Sequence, residues 1–394
     1  MTAQPETLRG DWGIPTKIRF GAGRIVELPE VCKELGIERP LLVTDPGLAP
    51  LPMIKQALAA NEAAGLGTGL FCELRPNPIS RNVEDGARVF REGGYDGVIA
   101  WGGGSGLDVG KSIAYLAHQN LPIRDLYGLG DAYLKTDAER VAPIVAVPTT
   151  SGTGSEVGRA TVVVDEERLE KKILFHPKMM PSVVIGDPEL TLGLPARLTA
   201  GTGMDALAHN LEAYCVPDFH PMAEGIAAEG IRLIKESLAT AVSDGANIVA
   251  RSHMMVAAMA GATSFQKGLG AIHSMSHPVG AHLDTHHGET NGVVMPYVLI
   301  FNRAVIEEKL VRLAAYIGLA DVSAQGFIDW VVALRKEIGT PHTLAELGVT
   351  EAHVEQMARD GAVDPAGEGN PIALDKANLS GLFVKAIEGD LSPA

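Results

Sequence analysis

The first half of the chain alternates short, unbroken apolar runs with stretches whose apolar residues recur every three or four positions. PLLVTD (40–45), GTGLFCEL (67–74), GVIAW (97–101), APIVAVPTT (142–150), TVVVD (161–165) and SVVIGDP (182–188) read as strands. The stretch 50–63, NVEDGARVFREGG (82–94) and GLDVGKSIAYLAH (106–118) read as helices, the second with Val83, Ala87, Val89 and Phe90 turned to the core. Unbroken apolar strands alternating with helices predict a mostly parallel sheet covered on both faces. From about Leu190 strand patterns nearly vanish. Helical patterns follow at 200–215, 221–240, 246–264, 303–318 and 323–338. The change falls within DPELTLGLP and predicts an α/β body at 1–189 and an all-α body at 190–394. The last thirty residues read as a loop carrying Pro365, Gly367, Gly369 and Pro371, then a short helix at 374–387. Segment 14–20 reads as an additional strand.

A chain of 394 residues has room for about two domains. Its net charge of -15 argues against nucleic acid or an anionic membrane as partner. Cys32, Cys72 and Cys215 have no paired spacing, which fits a reducing compartment. MTAQPETLRGDWGIP lacks an apolar signal core, and no apolar run approaches the ~18 residues of a membrane span. The expectation is a cytoplasmic protein.

The turn WGGGSG after GVIAW imitates two phosphate motifs and matches neither. A P-loop needs glycine five residues before Gly110 of Gly110-Lys111-Ser112, where Ser105 stands. The GxGxxG fingerprint counted from Gly102 meets Leu107 where its third glycine should be. What remains is shared physics: small residues admit a phosphate to backbone N–H groups, and the next helix adds positive charge at its N-terminus. Ser105 is placed to cap that helix. A tight strand–helix turn without ligand is the plainer reading. PTTSGTGSEVG (148–158) is a second small-residue loop after a strand, either a flexible connection or a loop that bonds a polar ligand at the strand ends. Asp45, ending LLVTD, is either a turn former before Pro46-Gly47 or an acceptor for ribose hydroxyls that would repel a 2′-phosphate.

Five histidines fall within fifteen residues, His273, His277, His282, His286 and His287. Earlier, MDALAHNLEAY carries Asp205 and His209. Residues four apart share a helix face, so Asp205 with His209, and His273 with His277, can each point at one spot. A carboxylate with several imidazoles suits a divalent transition metal. Any one histidine is more often an ordinary core or surface residue; the paired spacing inside a helical body shifts that balance. HExxH is absent. Spacing does not choose among the five.

DALAHNLEAY with HSMSHPVGAH and HHGETNGVVMP resembles the iron-containing (group III) alcohol dehydrogenase family. The likeness runs in order through FGAG (20–23), RPNP (75–78), GGGSGLDVGK (102–111), PTTSGTGSEV (148–157) and DPELTLGLP (187–195), most of the chain. Gly106 and Leu107 fill the variable positions of the GGGS-x-x-D motif. The resemblance implies a Rossmann-like α/β domain followed by a helical bundle. It implies Asp205, His209, His273 and His287 as ligands of Fe(II), or of Zn(II) as in some members, with His277 near nicotinamide and substrate. His282 and His286 have no ligand position in the family. For NAD it implies Gly103, Gly104 and Ser105 at the pyrophosphate, with Asp108 in the same motif. Thr149, Thr150 and Thr153 are implied on the phosphate–nicotinamide side, Lys171 as a cofactor contact, and Asp45 as the position favouring NAD over NADP. The implied reaction is hydride transfer between NAD and a small alcohol or its carbonyl, in a homo-oligomer, most simply a dimer. The alternative is a lyase or hydrolase of the dehydroquinate synthase-like superfamily that also uses NAD and metal.

Overall fold

The computed structural model describes residues 16–392 except Leu129 and Leu169. The described chain folds into two bodies: 16–150 with 154–193, and 151–153 with 194–392.

Among the described residues the α/β body holds eight strands: β1 (Lys17–Phe20), β2 (Pro40–Val43), β3 (Gly69–Phe71), β4 (Gly97–Gly102), β5 (Ile144–Pro148), β6 (Ala160–Asp165), β7 (Glu170–Phe175) and β8 (Val183–Gly186). Its helices are α1 (Leu28–Glu34), α2 (Pro52–Ala63), α3 (Ser80–Glu92) and α4 (Gly104–Leu116). Six strands form one parallel sheet in the order β1-β8-β5-β4-β2-β3. β2, β4, β5 and β8 are buried at every residue, as their unbroken apolar runs require. From β2 the chain passes to β3 on one side and then returns to β4 on the other. The strand order therefore reverses at the β2/β4 pair, and the carboxyl ends of those two strands are where open sheets of this kind form a ligand crevice.

The segment expected as one more strand of this set, TVVVD, lies elsewhere. It is β6, which pairs antiparallel with β7 as a separate hairpin. Its burial alternates, with Thr161, Val163 and Asp165 inward, so its three valines are not a doubly buried run. Segment 14–20 does contain a strand, β1 at the sheet edge; positions 14 and 15 lie outside the described residues.

The helical body contains α5 (Ala196–Cys215), α6 (Pro221–Ser243), α7 (Ile248–Ser264), α8 (Ala271–Leu283), α9 (His287–Tyr316), α10 (Ala324–Glu337), α11 (Glu351–Ala362) and α12 (Lys376–Glu388). α5 is buried at sixteen of its positions, from Thr199 to Cys215, and packs on α6, α7 and α9. Glycines set the close crossings. A Cβ on Gly288 of α9 would stand 2.2 Å from the Gly201 carbonyl and 2.8 Å from Asp205 Cβ. One on Gly261 of α7 would stand 2.9 Å from His209 Cβ. Two neighbouring helices thus close on α5 at the level of its Asp-x3-His.

Candidate metal centre and nucleotide crevice

In the helical body, Asp205 and His209 project from one face of α5, four residues apart. Asp205 Oδ1 lies 3.9 Å from His209 Nε2, 3.9 Å from His273 Nε2 and 3.5 Å from His287 Nε2. Two ligands ~2.1 Å from a tetrahedral ion stand about 3.4 Å apart, so these gaps suit one cation. Ligand atoms of Asp205, His273 and His287 lie within 4.8 Å of one another. The His209 ring stacks on His273 at 4.6 Å. Burial holds the His209 pKa down to about 4, against the pull of Asp205; the imidazole is neutral and its lone pair is available. His273 is raised: burial alone would lower it, but the Glu212 charge and hydrogen bond outweigh that. Asn291, one turn after His287, places its amide nitrogen 2.8 Å from Asp205 Oδ1 and 3.2 Å from His287 Nε2. Oδ1 of Asn291 is buried with no hydrogen-bond partner among the described residues.

The remaining histidines separate by position. His277, on α8, turns Nδ1 to Asp364 Oδ2 at 2.8 Å and stacks its ring on His287 at 5.4 Å. Asp364 is brought there by a chain of local causes. Pro278 inside α8 has no N–H for the Ser274 carbonyl. The backbone of Gly361 packs against that carbonyl, where a Cβ would stand 2.7 Å away. Asp364 follows three residues later. Burial raises the Asp364 carboxyl pKa, but interaction with His277 outweighs it and leaves the group below the usual carboxylate value. His282 pairs with Asp360 at 2.9 Å on the surface. His286 is the N-cap of α9, accepting from the Glu289 N–H at 3.3 Å. His287 is the first residue of that helix.

In the α/β body the crevice residues come from the two strands that flank the reversal. Asp45 lies just past β2, Gly102 ends β4 and Gly103 follows it. Asp45 Oδ1 accepts from the N–H groups of Gly47 (2.9 Å) and Leu48 (3.0 Å), so the turn-forming role is real. Its Oδ2 lies on the Gly102 side, 3.7 Å from where a Cβ of Gly102 would be. Gly102 has φ 141°, open to glycine alone. α4 begins at Gly104, after Gly103, with no side chain capping it. Ser105 is therefore not the cap expected: it lies in the first turn and its hydroxyl donates to the Pro76 carbonyl. Thr149 donates its N–H to the Gly102 carbonyl at 3.0 Å, and Thr150 lies against Gly103. Thr153 falls in the short segment 151–153 that belongs with the helical body.

The later glycines of the motif serve packing. A Cβ on Gly106 would stand 2.5 Å from the Trp101 carbonyl, and one on Gly110 2.6 Å from Ala100 Cβ. Lys111 is fully buried and donates to the carbonyls of Ser155 (2.8 Å), Gly158 (3.2 Å) and Ala160 (2.8 Å). Burial lowers its pKa to about 8. The Asp108 carboxylate accepts from Ser155 Oγ (2.5 Å) and the Val162 N–H (2.9 Å), so its bonds hold the same loop. Lys171, on β7, acts on Asp108 through its charge, whereas neighbouring Lys172 is ion-paired with Glu170.

Sequence reasoning missed Glu212, Asn291 and Asp364. Glu212 had a signal, three residues past His209 on the face of Asp205, and Asn291 stands four past His287. Asp364 had none, because its place depends on the Pro278–Gly361 packing.

A nucleotide-type crevice on a parallel sheet and a carboxylate–imidazole cluster on helices define a metal-assisted oxidoreductase class. Residues 15–188 match the model "Iron-containing alcohol dehydrogenase", and residues 199–387 match "Fe-containing alcohol dehydrogenase family, C-terminal". The chain is 40% identical over 368 residues to 4-hydroxybutyrate dehydrogenase of Cupriavidus necator, spanning 90% of this chain and 94% of that one. It is 34% identical to the NAD-dependent methanol dehydrogenase of Bacillus methanolicus, spanning 95% and 99%. A solved structure of 1,3-propanediol oxidoreductase superposes with a TM-score of 0.91 at 35% identity, covering 96% and 99%. The chain belongs to the iron-containing alcohol dehydrogenase family and is an NAD-linked alcohol/aldehyde oxidoreductase. No helix among the described residues is long and apolar enough to cross a membrane.

Proposed function

We propose that the protein moves hydride between NAD and the carbinol carbon of a small alcohol or its carbonyl, with Asp205, His209, His273 and His287 holding one divalent cation. The convergence of the Asp205, His273 and His287 donor atoms carries this reading. Three neutral imidazoles and one carboxylate leave about one net positive charge on a dication. When bound, the cation supplies Lewis acidity, strong enough on some sites to bring the pKa of water from ~15.7 to about 7. Fe(II) is the family's ion; such ligands bind Zn(II) more tightly, so metal content after purification reports supply as well as preference.

The chain's own residues do the rest. His277 passes the hydroxyl proton outward, with Asp364 fixing its ring through Nδ1. The first amides of α4 at Gly103, Gly104 and Ser105 receive the pyrophosphate, which the helix N-terminus favours. Asp45 Oδ2 receives the ribose hydroxyls and repels a 2′-phosphate. Thr149, Thr150, Thr153 and Lys171 line the remainder of the cofactor's path, while Asp108 holds Ser155 and Val162 just beyond the threonines. A homodimer in the cytoplasm completes the reading, on the family resemblance and composition.

The test is an alcohol panel with NAD and NADP in parallel, using protein stripped of metal and reloaded with Fe(II) or Zn(II). NADH should form only with metal and faster than NADPH. Full activity in metal-free protein sinks the cation role, and a preference for NADP sinks the role given to Asp45.

A further inference from the structure

We propose that Glu212 is a positioning residue of the cation centre: its carboxylate fixes the tautomer and the angle of His273, so that Nε2 faces the ion. The inference rests on the cation reading above. Asp205, His209 and Glu212 follow at spacings of four and three, which keeps all three on one face of α5. Glu212 Oε2 lies 2.5 Å from His273 Nδ1. Its Oε1 accepts from the Ile272 N–H at 2.6 Å, in the first turn of α8.

An ionised carboxylate only accepts hydrogen bonds. The proton of neutral His273 therefore stays on Nδ1, and the lone pair is left on Nε2, the atom 3.9 Å from Asp205 Oδ1. Without that partner an imidazole divides between two tautomers, and one of them cannot bind a cation through Nε2. The second bond fixes position. By holding Ile272 N–H, Glu212 draws the start of α8 onto α5 and sets the height of the ring. Gly270 permits this approach, since a Cβ there would stand 3.1 Å from Glu212 Oε1 and 2.8 Å from Asn370 Oδ1. Glu212 is itself buried, with both oxygens engaged. The N-terminus of α8 supplies compensating positive charge.

A mere helix cap would make the same Ile272 bond, so the test must separate capping from orientation. Glu212→Gln can still accept from Ile272 through its carbonyl. Its NH2 would then face His273 Nδ1 and favour the proton on Nε2. Asn370→Ala is the control, because Asn370 Oδ1 accepts from the neighbouring Ala271 N–H at 3.1 Å and touches no histidine of the centre. Metal-free forms of the full chain are titrated with Co(II), following its visible absorption, and thermal midpoints are recorded without metal. The expected result is a Co(II) Kd raised about tenfold to a hundredfold in Glu212→Gln, with an altered Co(II) spectrum and little change in midpoint. Asn370→Ala should lower the midpoint and leave Kd near the original.

Equal Co(II) affinity in Glu212→Gln and the unmutated chain overturns the proposal alone. Equal weakening in Asn370→Ala assigns the effect to capping and also overturns it. An unmutated chain that takes up no Co(II) overturns the cation reading and this inference with it. Should Glu212→Gln fail to fold, ring-15N NMR of the unmutated metal-free chain decides. At a pH high enough for the ring to be neutral, a His273 proton on Nδ1 supports the assignment, and one on Nε2 refutes it.

Discussion

Lys111 stands in a motif that looks made for phosphate, yet the structure gives it another task, and the two can be told apart. Replacing it by Met keeps the length and apolar stem and removes the ammonium. Three carbonyls, of Ser155, Gly158 and Ala160, lose their donor. A hydrogen bond from a charged group contributes about 1.5–3 kcal/mol, so the gross loss is about 5–9 kcal/mol. Burial of the ammonium opposes this. Its pKa falls from 10.5 to about 8, which at 1.36 kcal/mol per unit returns about 3 kcal/mol. Lys111→Met should therefore destabilise by about 2–6 kcal/mol, read as a lower denaturation midpoint in urea. The affinity for NAD should change only as far as the loop at 155–162 loosens. A lysine bonded directly to the pyrophosphate would behave in reverse: stability nearly unchanged, and Kd for NAD raised by a factor of about ten to 150. That second pattern, by urea unfolding and fluorescence titration, would refute the assignment.

Gly288→Ala pushes a methyl into the Gly201 carbonyl and Asp205 Cβ; overpacking of this kind costs about 1–3 kcal/mol, and calorimetry should show both a lower midpoint and weaker metal binding, whereas metal affinity left intact would mean that α9 can shift without moving His287. Glu156 is buried and its pKa is pushed up to about 7 from 4.5, burial being the main cause. The unfolded chain thus releases that proton first, and Glu156 lowers stability as pH rises from about 4.5 to 7. Glu156→Gln should remove that slope and gain on the unmutated chain at pH 7.5 relative to pH 5, and parallel midpoint curves would contradict it. His277→Gln should lower kcat and flatten its pH profile, with Asp364→Asn a milder version; an unchanged profile removes the proton relay and leaves His277 only to position the ring.

What the sequence made legible follows from where period and burial agree. β2, β4, β5 and β8 were readable because strands buried on both faces are unbroken apolar runs, and α5, α6, α7 and α10 because their periods are long. α9 begins at His287, sixteen residues before the helical pattern at 303. Its first half is buried all round and carries Gly292 and Pro296, so no polar stripe marks it as a helix. β7, in EKKILF, was hidden by its charged start, and α11 by its largely polar face. The Asp-x3-His pair and the histidine cluster announced a centre. Spacing alone did not separate His277 from His287, and only the resemblance did; in the structure His277 is a helical neighbour of His273 but is drawn to Asp364, while His287 arrives at the head of the next helix. The glycine-rich motif was read for phosphate, whereas two of its five glycines, Gly106 and Gly110, answer to the contact of α4 with β4.

Each body carries one sealed amine. Lys111 has its counterpart in Lys267 of the helical body, whose side chain is fully enclosed, bonded to the Val216 carbonyl at 2.7 Å and Glu224 at 2.6 Å, and likewise lowered to about 8. Once released, either would react readily with an acylating reagent; while enclosed, neither is reachable. The pace at which each becomes labelled is then a clock for the breathing of its own body. One footprinting experiment on the intact chain would time the two separately, without a single substitution.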